Sequence, residues 1–284
     1  MNKIKIIADS TCDLSQEQLR DNDIDIIPLC IIMDDISYYD GEDTDSAKIF
    51  EWADAHKTTP KTSAISYDRT KEALEKYKAS NTDVIFFGIS EKMSTTCNVV
   101  RLVADDIDYL DHVYVVDSMN LSSGIGLQIL YAARLIKEGK SAKEVYDMVN
   151  ERRNKVRASF VVDTLTYLSR GGRCSAATAL LGNTLKLKPE IVVVDGQMES
   201  SKKYRGPLDK VIIKYVNDLL PLMQNADKTQ VFITHSHAPE DTVKKVYEYL
   251  ESLNIFETIS ETKAGGVISS HCGPGTLGVL FYEL

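Results

Sequence analysis

Residues 84–105 read VIFFGISEKMSTTCNVVRLVAD: an apolar run, a polar loop and a helical segment follow one another. Val84 to Gly88 has the composition of a buried strand, and its terminal glycine marks the start of the loop. The loop is rich in hydroxyl groups between Ser90 and Thr96, and the helical pattern then continues to about Asp105. This stretch predicts one strand, loop and helix unit of an α/β protein.

The same order recurs elsewhere in the first half of the chain. Ile4 to Ala8 precedes a polar loop and a helical segment, and Val113 to Val116 precedes Ser122-Ser123-Gly124 and a long helix. Alternation of short apolar strands with helices is typical of a mainly parallel sheet covered on both faces. In such a sheet the loops after the strands gather at one edge, where ligands bind.

The character of the sequence changes near Arg157. A hairpin is predicted around Gly196-Gln197, and further strands and helices follow, including one helix from Leu208 to Leu222. We therefore predict a two-domain α/β fold. The N-terminal domain, residues 1–156, would hold a mainly parallel sheet flanked by helices, and residues 157–284 a smaller mixed α/β domain.

Residues 265–284 read GGVISSHCGPGTLGVLFYEL and contain the most distinctive chemistry of the chain. We predict a strand from Val267 to Ser270, a tight turn at Gly273-Pro274-Gly275 and a second strand from Leu277 to Tyr282. His271 would then stand at the edge of a cleft, where the glycines let a ligand approach the backbone closely. The alternative interpretation is a hairpin residue with a solvated ring.

Composition limits the possible functions. The chain has 284 residues, 43% of them hydrophobic, and a formal net charge of −9, which argues against nucleic acid as the main partner. No apolar run approaches the roughly 20 residues of a membrane helix, and no signal-peptide pattern is present at the amino terminus. The five cysteines are scattered without a CxxC pair. We expect a reduced cytoplasmic protein without a metal site.

Several short motifs resemble the DegV family, and they follow its order along the whole chain. Each is weak alone, but together they are specific. They are Ala8-Asp9-Ser10-Thr11-Cys12-Asp13-Leu14, Thr62-Ser63, the loop from Ser90 to Asn98, Asp117-Ser118 with Ser123-Gly124, Leu165 to Arg173, Lys188-Pro189, Asp195-Gly196 and His271-Cys272-Gly273-Pro274-Gly275.

The resemblance implies a non-catalytic protein that holds a long-chain fatty acid between its domains and needs no cofactor. It implies presentation of the acid to a fatty acid kinase, which would phosphorylate the carboxylate for phospholipid synthesis, and it allows transient contact with a membrane surface. The ligand-binding residues would be Thr62, Ser63, Ser94, Thr95, Ser123, Gly124, Arg173, His271 and Gly273.

These residue types suit a carboxylate, which offers only acceptor positions and therefore requires donors. Ser94 and Thr95 also stand where a helix begins, and the positive end of a helix favours an anion. A plain N-cap is the alternative role of Ser94. The alternative function is a hydrolase or phosphotransfer enzyme that uses His271 with a nearby Ser, although no G-x-S-x-G motif precedes a helix.

Overall fold

The computed structural model describes residues 2–181 and 187–284, and it confirms the mixed α/β architecture. Thirteen strands are described, and they are β1 (Lys3–Asp9), β2 (Ile24–Ile27), β3 (Cys30–Met33), β4 (Ile36–Tyr39), β5 (Lys61–Ser63), β6 (Thr82–Gly88), β7 (Val113–Asp117), β8 (Val156–Val161), β9 (Leu187–Val194), β10 (Gln197–Arg205), β11 (Ala226–Ser236), β12 (Thr258–Lys263) and β13 (Thr276–Glu283).

Twelve α-helices are described in the same residues, and they are α1 (Gln16–Asp21), α2 (Ser46–His56), α3 (Tyr67–Ala79), α4 (Thr96–Asp106), α5 (Ser123–Lys137), α6 (Ala142–Arg152), α7 (Thr166–Gly171), α8 (Ser175–Leu181), α9 (Leu208–Asp218), α10 (Leu220–Met223), α11 (Glu240–Leu253) and α12 (Gly266–Cys272). Within the described ranges, no helix has both the length and the apolar character needed to cross a bilayer.

The first sheet is parallel, as the alternation of strands and helices predicts. Its strand order is β2-β1-β6-β7, and every neighbouring pair runs in the same direction. The apolar run from Ile24 to Met33 forms two strands, because Pro28 lacks the N–H needed to continue a ladder. Its second part, β3, is the central strand of a small antiparallel sheet of order β4-β3-β5.

The second large sheet is mixed and has the order β10-β9-β8-β13-β11-β12. Only β11 and β12 run parallel in it, and the predicted hairpin around Gly196 is confirmed as β9 and β10. The single helix predicted from Leu208 to Leu222 is instead two helices. Pro221, the second residue of α10, cannot donate the N–H that a continuous helix would use.

Helix α5 lies between the two large sheets. Its buried side chains include Ile125 and Ile129, and they belong to one apolar cluster with Phe87 of β6 and Phe232 of β11. A second cluster fills the other face of the parallel sheet, and a third lies between the mixed sheet and α9 to α11. Because the central cluster joins both halves of the chain, the division into residues 1–156 and 157–284 stays a prediction.

The segment before His271 corrects the sequence prediction. Val267 to Ser270 is part of helix α12, and it is not a strand. The first N–H groups of this helix donate to side chains that are distant in sequence. Gly265 donates to Asp13 Oδ1 at 2.8 Å, and Gly266 donates to Asp40 Oδ1 at 2.7 Å. These carboxylates cap the helix in place of a local N-cap side chain. The tight turn after it is confirmed.

Candidate functional site

A buried cavity of ≈ 490 Å³ lies between the end of the parallel sheet and one face of the mixed sheet. Loops that follow β2, β6 and β7 line it, which confirms that polar loops share the carboxyl edge of the parallel sheet. Strand β5 and helices α7 and α12 complete one side, and β8, β10, β11 and β13 form the other. This volume lies within the roughly 300–1,000 Å³ typical of small-molecule sites.

The His271 ring stands at the C-terminal end of α12 and lines the cavity. Its Nε2 is 2.8 Å from Thr62 Oγ1 on β5. Gly171 packs so closely against the other side of the ring that a Cβ there would lie 2.2 Å from Nδ1. Among the described residues, Nδ1 has no hydrogen-bond partner. The imidazole is therefore held between the Thr62 hydroxyl and the Gly171 backbone.

Burial is the main cause that lowers the pKa of His271 to about 4, and the positive charge of Arg173 lowers it further. The ring is thus neutral at pH 7, with one nitrogen that donates and one that accepts. When Nε2 carries the proton and donates to Thr62, the Thr62 hydroxyl keeps its own proton for a ligand. The pair can then offer a donor to the cavity without placing a buried cation in it.

The Ser94 side chain begins helix α4 as predicted. Its Oγ accepts from the Thr96 backbone N–H at 3.3 Å and lies 2.9 Å from Thr96 Oγ1. Thr95 is the N-cap residue but makes no side-chain cap bond, and the first turn contains no acidic side chain. Both Ser94 and Thr95 line the cavity. The positive end of the α4 dipole is therefore uncompensated at this side of the site.

The Arg173 side chain is exposed but reaches the mouth of the cavity. It follows Gly172, which ends α7 with a φ of 69°, a conformation that glycine adopts without strain. Its Nη1 donates to the Gly171 carbonyl oxygen at 2.8 Å. The guanidinium thus folds back over the end of α7 and supplies a fixed positive charge at the rim.

The structure brings together six of the nine predicted residues around the cavity: Thr62, Ser63, Ser94, Thr95, Arg173 and His271. The other three lie nearby but do not line it. Ser123 is buried and hydrogen bonded to Thr234, and Gly124 packs against the Asn120 side chain. Gly273 packs against Tyr167, whose ring would lie 2.7 Å from an added Cβ.

Sequence reasoning missed much of the cavity wall. Four further hydroxyl side chains line it, and they are Ser122, Thr234, Ser236 and Thr276. The large apolar side chains that line it include Met93, Phe160, Leu168, Met198, Ile268 and Leu280. The alternation of Thr234 with Ser236, and of Thr276 with Gly278, was the available signal for this polar side of the strands.

Ser122 has a backbone conformation that non-glycine residues rarely adopt, with φ 54° and ψ −146°. Its hydroxyl donates to Asp13 Oδ2, and the same carboxyl accepts from Gly265 at the start of α12. Burial raises the pKa of Asp13 to about 8. Burial also raises the pKa of Asp40, which accepts from Gly266 and Ser10. Two buried carboxyl groups thus fix the helix that carries His271.

In the part of the chain that the structure describes, no group of three or more His, Cys, Asp or Glu side chains is arranged to hold a metal ion. The donors at the cavity include hydroxyl groups, the neutral imidazole of His271, a helix N-terminus and the exposed side chains of Arg173 and Lys92, while Glu91 adds one exposed carboxylate. This set is suited to an oxygen-bearing anion. The adjoining apolar walls are suited to a hydrocarbon chain.

Comparison with known proteins agrees with this geometry. The family model described as "Uncharacterised protein, DegV family" matches residues 3–284. A DegV domain-containing protein of Clostridium perfringens is 32% identical over 283 residues, which cover 100% of this chain and 99% of the relative.

Two solved structures are similar over nearly their full lengths. A DegV family protein of Thermus thermophilus, described for its fatty acid binding, superposes with a TM-score of 0.89 at 28% identity and covers 99% of this chain and 100% of its own. A stearic acid-binding protein of Eubacterium ventriosum has a TM-score of 0.85 at 25% identity, with 100% and 98% covered. This chain belongs to the DegV family.

Proposed function

We propose that this protein binds one long-chain fatty acid in the cavity. The observation that carries the proposal is the combination of a donor-rich end with large apolar walls in one buried cavity of ≈ 490 Å³. The descriptions of the Thermus and Eubacterium relatives as fatty acid and stearic acid binders support it. The proposed ligand-binding residues are the six predicted ones that line the cavity, with Thr62, Ser94 and His271 nearest the carboxylate; the other three are Ser63, Thr95 and Arg173.

The carboxylate would receive hydrogen bonds from the Thr62 and Ser94 hydroxyls and attraction from the α4 dipole and Arg173. Hydrogen bonds to a charged acceptor contribute about 1.5–3 kcal/mol each. The positive charge stays at the exposed rim, while the buried His271 is neutral and orients Thr62. This arrangement avoids the cost of burying a separate cation beside the ligand.

The acyl chain would lie against the apolar walls. Each buried methylene contributes about 0.8 kcal/mol, so ten of them supply about 8 kcal/mol. Association itself costs about 4–15 kcal/mol, which consumes much of this gain. The affinity would therefore depend on the chain and the carboxylate together, and a short carboxylic acid would bind weakly.

In our proposal the protein is a carrier and performs no catalysis. It would present the carboxylate to a separate fatty acid kinase, which forms an acyl phosphate that the carrier then passes towards phospholipid synthesis in the cytoplasm. The exposed Ser63, Thr95 and Arg173 side chains at the cavity mouth mark the face that the kinase would contact. Delivery of the product is compatible with brief contact at a membrane surface.

The contacts of His271 do not favour the hydrolase alternative. A catalytic His is normally placed between a nucleophile and an orienting carboxylate. Within the described part of the chain, Nε2 contacts the Thr62 hydroxyl, and Nδ1 has no hydrogen-bond partner. Turnover of ester or phosphoester substrates that is abolished in a His271→Ala variant would instead support an enzyme.

The proposal is tested by organic extraction of the purified protein and mass spectrometry of the bound lipid, with an unrelated protein from the same host as control. We expect close to one long-chain fatty acid per chain. The variants Ser94→Ala and His271→Ala should each weaken retention about tenfold through loss of about 1.4 kcal/mol of hydrogen bonding.

Ser270→Ala is the matched control, because that hydroxyl is on the same helix but donates to Gly266 within it. It should retain the lipid as the unsubstituted protein does. If no fatty acid is recovered, and none binds to the purified protein when it is added, the proposed function is wrong. Loss of thermal stability in the ligand-free Ser94→Ala or His271→Ala variant would show that these side chains are structural.

A further inference from the structure

One side of the cavity is formed by a face of the mixed sheet, and a single row of residues crosses it. Phe160 of β8 is paired with Gly278 of β13, and Gly278 is paired on its other side with Thr234 of β11. Thr234 is in turn paired with Thr262 of β12. Adjacent strands lie about 4.8 Å apart, so Phe160 and Thr234 are about 10 Å apart across the glycine. Gly278 lines the cavity at a point where β8 and β13 approach closely, since an added Cβ would lie 2.7 Å from the Ser159 carbonyl oxygen and 3.0 Å from Phe160 Cβ.

The two sides of this row differ in chemistry. Towards β8 and β10 the cavity is lined by Phe160 and Met198. Towards β11 it is lined by hydroxyl groups, to which Ser122 adds another from the loop after β7. We call Ser122, Thr234, Ser236 and Thr276 the hydroxyl wall, and all four residues are buried. A purely hydrocarbon ligand would make no use of such a wall.

The protons of the hydroxyl wall are mostly used inside the protein. Ser122 donates to Asp13, and Thr276 donates to the Cys272 carbonyl oxygen at 2.9 Å. Ser269 donates to the Ala264 carbonyl oxygen, so the bond between Ser236 and Ser269 takes its proton from Ser236. Ser236 and Thr276, which line the cavity, therefore keep unused lone pairs that accept hydrogen bonds.

Thr234 completes the wall with one remaining hydrogen-bonding position. It contacts the Ser123 and Thr262 hydroxyls, and a hydroxyl group can make three hydrogen bonds in all. The wall as a whole thus favours a donor. A carboxylate has acceptors only and would be disfavoured there, which separates this wall from the end near Thr62 and Ser94.

The wall extends alongside α12. Thr276 is hydrogen bonded to Cys272 at the end of the helix, and Ser236 to Ser269 near its middle. Thr234 lies beside the start of the helix, because the next residue, His235, accepts a hydrogen bond from Ala264 through its carbonyl oxygen. His271 is seven positions after Ala264, which corresponds to about 10 Å along a helix at 1.5 Å per residue. An extended chain advances about 1.2 Å per bond, so the wall accompanies roughly the first eight to ten carbons of a bound acid.

We infer that the hydroxyl wall is a second polar subsite, which accepts a hydrogen bond from a hydroxyl group on the acyl chain, and that the preferred ligands include hydroxylated long-chain fatty acids. This inference rests on the proposed function, because the carboxylate must occupy the donor-rich end. The hydroxyl would be carried between about the third and the tenth carbon.

The test is a calorimetric comparison of stearate with positional isomers of hydroxystearate, using protein freed of its bound lipid. We expect at least one isomer with the hydroxyl between about carbons three and ten to bind about five- to tenfold more tightly than stearate, which one net hydrogen bond supplies. The variants Thr234→Val and Ser236→Ala should each reduce the ratio of the hydroxystearate affinity to the stearate affinity.

Ser159→Ala is the matched control, because that buried hydroxyl lies on the opposite face of the same sheet and contacts Tyr215. It should keep the preference. The inference is overturned if stearate binds and no isomer binds more tightly, or if the preference survives both wall substitutions; the proposed function then stands. If neither stearate nor any isomer binds, the proposed function fails and the inference fails with it.

Discussion

The two faces of the mixed sheet share one backbone, but one face is packed into an apolar core and the other lines the cavity. On the face towards α9 to α11, Ile233, Val279 and Phe281 are fully buried in a continuous apolar core. On the other face, the neighbouring positions along the same strands include Thr234 and Gly278, and both line the cavity. Large apolar side chains remove space and stabilise the fold, whereas small hydroxyl residues keep space for a ligand.

The largest expected effect comes from two adjacent residues of β13. Phe281→Ala should lower the free energy of unfolding by about 3–5 kcal/mol, because it opens a void in the filled face. Leu280→Ala, on the cavity face, should cost about 2 kcal/mol and shift the bound lipids towards longer chains, because it enlarges an existing space. Denaturant unfolding and mass spectrometry of extracted lipid measure the two effects. Equal costs and unchanged lipids would refute the distinction between the faces.

A second prediction concerns Gly171, which packs against the His271 ring. Gly171→Ala should weaken fatty acid binding about tenfold, since the new methyl group must displace a ring whose Nδ1 would be 2.2 Å away. Direct binding of a fatty acid to lipid-free protein measures this change. Ser169→Ala, on the same helix, should bind normally. Unchanged affinity in Gly171→Ala would show that the position of the imidazole is not important for the ligand.

A third prediction tests the carboxyl groups that fix α12 over the cavity. Because burial raises the folded-state pKa of Asp13 to about 8 from 3.8, the folded protein retains a proton that the unfolded chain has lost between these pH values. The contribution of Asp13 to the free energy of unfolding therefore falls as the pH rises from about 4 to 8, by at most about 1.4 kcal/mol per pH unit. Asp13→Asn, which does not ionise, should flatten the decline in unfolding free energy measured between pH 6 and 9.

The smallest expected effect is on the pKa of His271, and it comes from a substitution at the cavity rim. Burial lowers the pKa of His271 most, and Arg173 adds a further lowering through its charge. Arg173→Gln should therefore raise the pKa of His271 only slightly, because the guanidinium is exposed and its charge is screened. An NMR titration of the ring measures it, with Arg205→Gln as control. A lower pKa in the Arg173 variant would contradict the proposed arrangement.

The alternation of apolar strands with helices was sufficient to predict the parallel sheet, because each unit is defined by neighbouring residues. The hairpin around Gly196 was predicted from its turn residues, and the predicted hydroxyl loop at Ser94 lines the same cavity as His271. These features depend on local patterns of polarity and on the rule that loops of parallel strands share an edge.

The features that were not predicted depend on contacts between distant parts of the chain. Val267 to Ser270 has the composition of a strand, but Asp13 and Asp40 cap it as a helix from 252 and 226 residues away. Thr234 was not among the predicted site residues, because the sequence does not show which face of β11 is filled. Ser123 and Gly124 belong to a motif whose neighbour, Ser122, is the residue that reaches the cavity.

Helix α5 has a consequence for how a ligand enters. Since its side chains pack into a core shared by both large sheets, the halves of the chain cannot swing apart without exposing that core to water. We therefore expect entry to use small local fluctuations of the cavity rim, with no opening of one half against the other. Amide hydrogens in α5 should exchange only through complete unfolding, while those near the rim exchange through faster, partial openings.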